Sequence, residues 1–186
     1  DSISEKYKQN FAHLMMDNDL FLDIIKQNKD KLIETLRETS TDQTSTFIIQ
    51  KNASNQNIFH YAVTYIDHDD DDDQASKIEV LKSIIDYFKN NSLDTLLIEF
   101  LNMSDKNSNT PLILALRKNP NLNIVKLLVE SGARIHPDTY AKNLAIQIAI
   151  KENNSPEVIL HLLDYYMNDK DLKREQQLQG IQVAYD

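Results

Sequence analysis

The chain has no cysteine, only 2 glycines and 4 prolines in 186 residues, and no apolar run long enough to span a bilayer. Each scarcity excludes something. Without cysteine there is no disulfide, no thiol nucleophile and no thiolate metal site, and the composition suits a reducing compartment. Without a run of about 18 apolar residues there is no transmembrane helix. The opening DSISEKYKQNF lacks the apolar core of a signal peptide. Basic charge is short as well. Lys and Arg number 20 against 29 Asp and Glu, a net charge of −9, with no dense cationic cluster. That balance disfavours reading a phosphate backbone or lying on an anionic membrane, so neither a nucleic-acid partner nor membrane insertion is expected. The first residue is aspartate and not methionine, so a chain cut from something longer is expected.

What is present is helical. Hydrophobic residues make up 41% and charged residues 26%, enough to bury a core. Leu, Ile, Lys, Glu and Asn with little Gly or Pro favour helices joined by Asn/Asp/Ser turns. Residues 4–16 put Tyr7, Phe11, Leu14 and Met15 on one face behind Ser4 as N-cap. Residues 17–38 hold two apolar bursts and read as two short antiparallel helices. After FIIQKNASNQ (47–56), NIFHYAV (57–63) starts a third short helical pattern. Residues 67–77 interrupt it; six aspartates among the seven residues 67–73 repel one another and predict a solvated loop. The run lacks the spaced ligands, turn glycine and terminal acid of a calcium loop, so no specific metal is expected. Periodicity resumes over 78–90, with Val80, Leu81, Ile84, Ile85 and Phe88 on one face, and again over 92–104 with Leu96, Leu97, Phe100 and Leu101. Two further pairs follow: TPLILALRK with LNIVKLLVESG, then LAIQIAIKEN with PEVILHLLDYYM. The final stretch, 168–186, is polar and reads as a tail or cap.

The pairs repeat. Aligning NIFHYAV with TPLILAL places Phe59 on Leu112, His60 on Ile113 and Ala62 on Ala115; a third copy places Ala149 on Ala115. Ala115 and Ala149 lie 34 residues apart, and Ala62 and Ala115 lie 53 apart, the excess falling in the aspartate loop and the 92–104 segment. Each copy precedes a helix of the IVKLLV type. A period in the low thirties with two short helices per unit is the mark of a stacked helical solenoid, because one pair cannot bury its own apolar face.

These residues resemble the ankyrin repeat family, most clearly in Asp105–Asp138, DKNSNTPLILALRKNPNLNIVKLLVESGARIHPD. It has the opening Asp, Thr110-Pro111-Leu112 at the start of the inner helix, Ala115 within it, Leu127-Leu128 in the outer helix and Gly132 at the end. Pro111 suits a first helical turn and Gly132 a left-handed terminus. Ser108 and Asn119 stand where the family commonly has glycine. The resemblance covers roughly 17–167. It implies an all-α solenoid of about four stacked helix pairs over 17–167 with an acidic loop at 67–77, an N-terminal capping helix over 1–16, and the 168–186 tail. It also implies that His60, Ala62, Thr110, Pro111, Leu112, Ala115, Leu127, Leu128, Gly132 and Ala149 are framework positions. His136 falls where the family usually has Asn, and His161 lies within an outer helix.

No pattern for a metalloprotease, a phosphate-binding loop, a serine-hydrolase elbow or a zinc deaminase occurs. The expectation is a chain that is not itself an enzyme, with no catalytic residues, cofactor or metal. Its function by resemblance is protein–protein interaction or scaffolding on the concave face, the partner being another protein. Tyr65, Arg117, Lys118 and Lys151 are placed toward that face by their repeat positions, with Asn55, Asn107 and Asn109 near the tips. The alternative is a bracing domain of a larger enzyme or host-modifying effector. The Asn/Lys/Ile-rich, glycine-poor style resembles diverged ankyrin proteins of intracellular bacteria, which implies a cytoplasmic location or secretion into a host cytosol.

Overall fold

Local sequence chemistry explains where several of the helices start and stop. The computed structural model describes residues 51–66, 74–118, 120–135, 145–152 and 154–168. The expected helix over 4–16, the pair over 17–38, Asp67–Asp73 with His68, Asn119, His136 and residues 169–186 lie outside them. The described residues form α1 (Ile58–Ile66), α2 (Gln74–Asn90), α3 (Asp94–Asn102), α4 (Pro111–Lys118), α5 (Leu122–Glu130), α6 (Ala145–Lys151) and α7 (Pro156–Asn168), with no strand among them. Two boundaries differ from the sequence reading. Helix α2 begins at Gln74, so the end of the expected 67–77 loop is helical, and α7 takes in Asn168, the first residue of the expected tail.

The starts of α1, α4 and α5 are set by short polar side chains. Asn57 caps α1, its Oδ1 accepting from the N–H groups of Phe59 (3.0 Å) and His60 (3.4 Å). Thr110 precedes Pro111 at α4 and accepts from Ile113 N–H at 3.3 Å. Asn121 caps α5, accepting from Asn123 and Ile124. The ends of α2 and α5 share one motif. At α5, Gly132 N–H donates to Val129 O and Ala133 N–H to Leu128 O. At α2, Ser92 N–H donates to Lys89 O and Leu93 N–H to Phe88 O. Both are Schellman ends with a left-handed residue. It is Gly132 (φ +106°) in one and Ser92 (φ +58°) in the other.

Helices α1, α4 and α6 lie side by side as an inner row, and α2, α5 and α7 back them as an outer row. Ala62, Ala115 and Ala149 are all fully buried. Small side chains there let inner helices approach and leave room for their outer partners. The 53-residue spacing is absorbed partly by α3, an extra helix packed on α2 and α4. Phe88 joins the layers, with ring centroids 5.4 Å from Phe59 on α1 and 6.1 Å from Phe100 on α3. Asparagines fasten the insertion. Asn57 Nδ2 donates to Phe100 O at 2.7 Å, while Asn102 Nδ2 donates to Gly132 O at 2.9 Å and its Oδ1 accepts from Arg134 N–H at 2.7 Å. Asn154 similarly donates to Leu116 O at 2.9 Å, closing the end of α4 from the following repeat.

The last pair is less covered than its predecessor. Leu116 on α4 is fully buried, whereas Ile150, 34 residues on, is 38% exposed. Val125 and Val129 on α5 are fully buried, but Ile159 and Leu163 on α7 are only half-buried. A repeat with a successor is sealed on both sides, and among the described residues no helix packs beyond α6 and α7.

Candidate functional site: the tips and the inner helix row

The inner helices α1 and α4 are each approached through a tight polar turn, and the two turns are built alike. In 52–57, Asn52 Oδ1 accepts from Ser54 N–H (2.9 Å) and Gln56 N–H (2.8 Å), Asn52 N–H donates to Gln56 O, and Asn55 N–H donates to Asn52 O. In 105–110, Asp105 Oδ1 accepts from Asn107 N–H (2.8 Å) and Asn109 N–H (2.9 Å), Asp105 N–H donates to Asn109 O, and Ser108 N–H donates to Asp105 O. Asn55 and Ser108 are both left-handed, each with φ +61°. An amide and a carboxylate perform one task, because the turn needs only a short side-chain acceptor. The tips are tied together by Lys106 N–H to Ser54 O (2.9 Å) and Asn55 Nδ2 to Ser104 O (2.7 Å).

His60 joins this framework. Its Nδ1 accepts the Asn57 backbone N–H at 3.3 Å, completing a capping box in which imidazole replaces Glu or Gln. Its Nε2 lies 3.0 Å from Asn109 O, a group that can only accept, so the ring proton sits on Nε2. Nδ1 also lies 3.0 Å from Asn57 Oδ1, which in the neutral ring is an acceptor–acceptor contact. Protonation would turn it into a hydrogen bond, but burial opposes the charge more strongly than the Asn109 carbonyl and Asp105 favour it. The pKa is therefore lowered from its ordinary 6.5. A buried ring linking one helix start to the next tip is a fastening.

The residues assigned to the binding surface separate into groups. Arg117 and Lys118 are exposed at the end of α4, and Lys151 is exposed at the end of α6, one 34-residue period after Arg117. Asn55 and Asn107 are exposed at the tips, the first with its amide engaged by Ser104 O. Tyr65 belongs to α1, but its side chain is outside the described set. Asn109 is a correction: it is only 7% exposed, its main chain is held by Asp105 and its carbonyl by His60, so it faces the interior. Among the framework positions, Leu128 is fully buried, whereas Leu127 is only half-buried against the core. The sequence alignment set Asn57 on Thr110 without giving it a capping role, and it missed Asn52, Asn102 and Asn154. Asn52 was legible: the 53-residue offset that aligns Ala62 with Ala115 also sets it on Asp105.

Among the described residues no three His, Asp or Glu side chains gather to hold a metal ion. A recess of ≈ 360 Å³ lies off the inner row, lined by Ile98, Glu99, Asn102, Met103 and Arg134. No helix of the described residues is long and apolar enough to cross a membrane.

Two rows of paired helices, with a 34-residue period between α4 and α6 and like-bonded tips before α1 and α4, define a helical repeat stack. A family model for ankyrin repeats in three copies matches residues 77–174, more than half the chain, and the chain belongs to the ankyrin repeat family. No curated protein and no solved structure matches it. The family match begins within α2, yet α1 and its tip pack on α4 just as α6 does on the other side.

Proposed function

We propose that this chain is a non-catalytic protein-interaction module, a scaffold that holds another protein against its tips and inner helix row. One observation carries the reading. The residues fixing the two described tips and the inner-helix contacts (Asn52, Asp105, Asn57, His60 and the three alanines) are buried, while Arg117, Lys118 and Lys151 at the ends of α4 and α6 are exposed. A buried frame with a solvated polar face is how a stack presents a recognition surface. The buried imidazole, the group best suited to acid–base work, is engaged in capping. The resemblance in composition to diverged ankyrin proteins of intracellular bacteria extends the proposal to an effector working in a host cytosol.

The test is comparative affinity capture. The wild type, an inner-row double reversal (Arg117→Glu with Lys118→Glu) and an outer-row control (Lys82→Glu with Lys89→Glu) are used as baits after matching their far-UV circular dichroism and melting curves. The expected result is a set of proteins lost from the inner-row variant and kept by the control, since reversal replaces attraction by repulsion. Retention of the whole set by the inner-row variant would refute the proposal.

A further inference from the structure

Among the described residues the outer row and α3 carry exposed charge of both signs, whereas the inner-row side carries mostly cations. At the tip of the second repeat Lys106 is exposed, and the inner helices end in Arg117-Lys118 and Lys151. The described carboxylates of this side are few. Asp105 is buried, its Oδ1 accepting two backbone N–H groups and its Oδ2 facing the Gln56 and Asn109 amides at 3.5 Å. Glu152 is exposed just past the end of α6. The outer row and α3 instead carry exposed Glu79, Asp86, Glu99, Glu130 and Asp164, mixed with Lys82, Lys89 and Lys126. Thus, among the described residues, a chain of net charge −9 presents a cationic strip at the tip carrying Lys106 and at the ends of α4 and α6.

Helix-end electrostatics alone does not account for this. Cations near a carboxyl end are stabilising, but α1, α3, α5 and α7 have none in their last turns, whereas α4 has two and α2 and α6 have one each. The one-period relation of Arg117 to Lys151 also places them on neighbouring helices. Packed helices lie about 8–10 Å apart, close to the Debye length of about 8 Å at physiological salt. Their fields therefore overlap and act jointly on a ligand.

We infer that the inner row binds an acidic segment of its partner protein, whose carboxylates lie across the strip from Lys106 to Arg117, Lys118 and Lys151. This rests on the interaction reading above and adds the chemistry of the partner. A protein segment fits better than nucleic acid, because the surrounding negative charge repels an extended phosphate backbone, whereas a short acidic segment can be confined to the strip.

The probe is a fluorescein-labelled peptide of about a dozen residues, built from Glu-Asp pairs separated by leucines; its counterpart has Gln and Asn in place of the acids. Anisotropy is measured with the wild type, with the triple variant Lys106→Glu/Arg117→Glu/Lys151→Glu and with the outer-row control Lys82→Glu/Lys89→Glu, all shown to melt alike. The acidic peptide should bind the wild type and the control, lose about tenfold or more in affinity with the triple variant, and weaken as salt is raised. The amide peptide should not bind. No binding of the acidic peptide, equal binding of the amide peptide, retention by the triple variant, or tighter binding of a DNA duplex would overturn the inference. Failure here, with captured proteins still lost from the inner-row double reversal, would remove only the acidic character of the partner. Failure of the capture experiment would remove the interaction reading itself.

Discussion

The matching ends of α2 and α5 allow a substitution experiment with opposite outcomes at equivalent positions. Ser92 and Gly132 each follow a helix in the left-handed region, with the same pair of backbone hydrogen bonds behind them. An L residue there costs about 1–2 kcal/mol relative to its relaxed conformation. Glycine avoids that cost but loses about 0.4–1 kcal/mol through its freer unfolded chain. Ser92→Gly removes the strain without sacrificing packing, since the serine is exposed. The balance is a stabilisation of up to about 1 kcal/mol. Gly132→Ala runs the other way. It introduces the strain, and the new Cβ would stand 3.1 Å from Ile98 Cγ1. Ile98 is 45% exposed and can yield a few tenths of an ångström, so strain dominates and the net loss is about 1 kcal/mol. Urea unfolding followed by far-UV circular dichroism reads both as midpoint shifts at unchanged slope. The double variant Ile98→Ala/Gly132→Ala separates contact from strain: if the loss persists, strain is its source. A destabilised Ser92→Gly, or a Gly132→Ala indistinguishable from wild type, would refute the assignment of backbone strain to these two turns.

Ala115 is fully buried in the middle inner helix, between α1 and α6. Ala115→Leu should overpack that contact and cost about 1–3 kcal/mol in urea unfolding, and wild-type stability would place the residue outside it. Tyr87 is buried, and its hydroxyl has no partner among the described residues. Tyr87→Phe should therefore be neutral or stabilising by up to about 1 kcal/mol, whereas a loss of that size would reveal a partner for the oxygen. His60 binds its proton more weakly folded than unfolded, because burial lowers its pKa from 6.5. The unfolded chain thus gains the proton first as pH falls through 6.5, and stability declines by at most about 1.4 kcal/mol per pH unit until the folded pKa is passed. Midpoints measured across this range should fall more steeply for wild type than for His60→Gln; parallel profiles would exclude the imidazole as the source.

The sequence by itself determined the helices and their repetition. Apolar periodicity over 78–90, 111–118, 122–130 and 156–167 is a local property, and a 34-residue recurrence of small and large side chains permits few arrangements other than a stack. Thr110-Pro111 and Gly132 likewise mark a start and an end because their conformational limits are intrinsic. Tertiary structure decided what the polar residues do. Asn109 looked like a tip residue, but docking of His60 from 49 positions away turns it inward. Asn57 is an ordinary helix cap until α3 folds beneath it and supplies the Phe100 carbonyl, 43 residues later. Ser92 carries no sign of left-handed geometry; it adopts it because Leu93 must reach back to Phe88 O and start α3 against α2. Hydrogen bonds between distant residues depend on where whole helices come to rest, and side-chain identity alone cannot encode that.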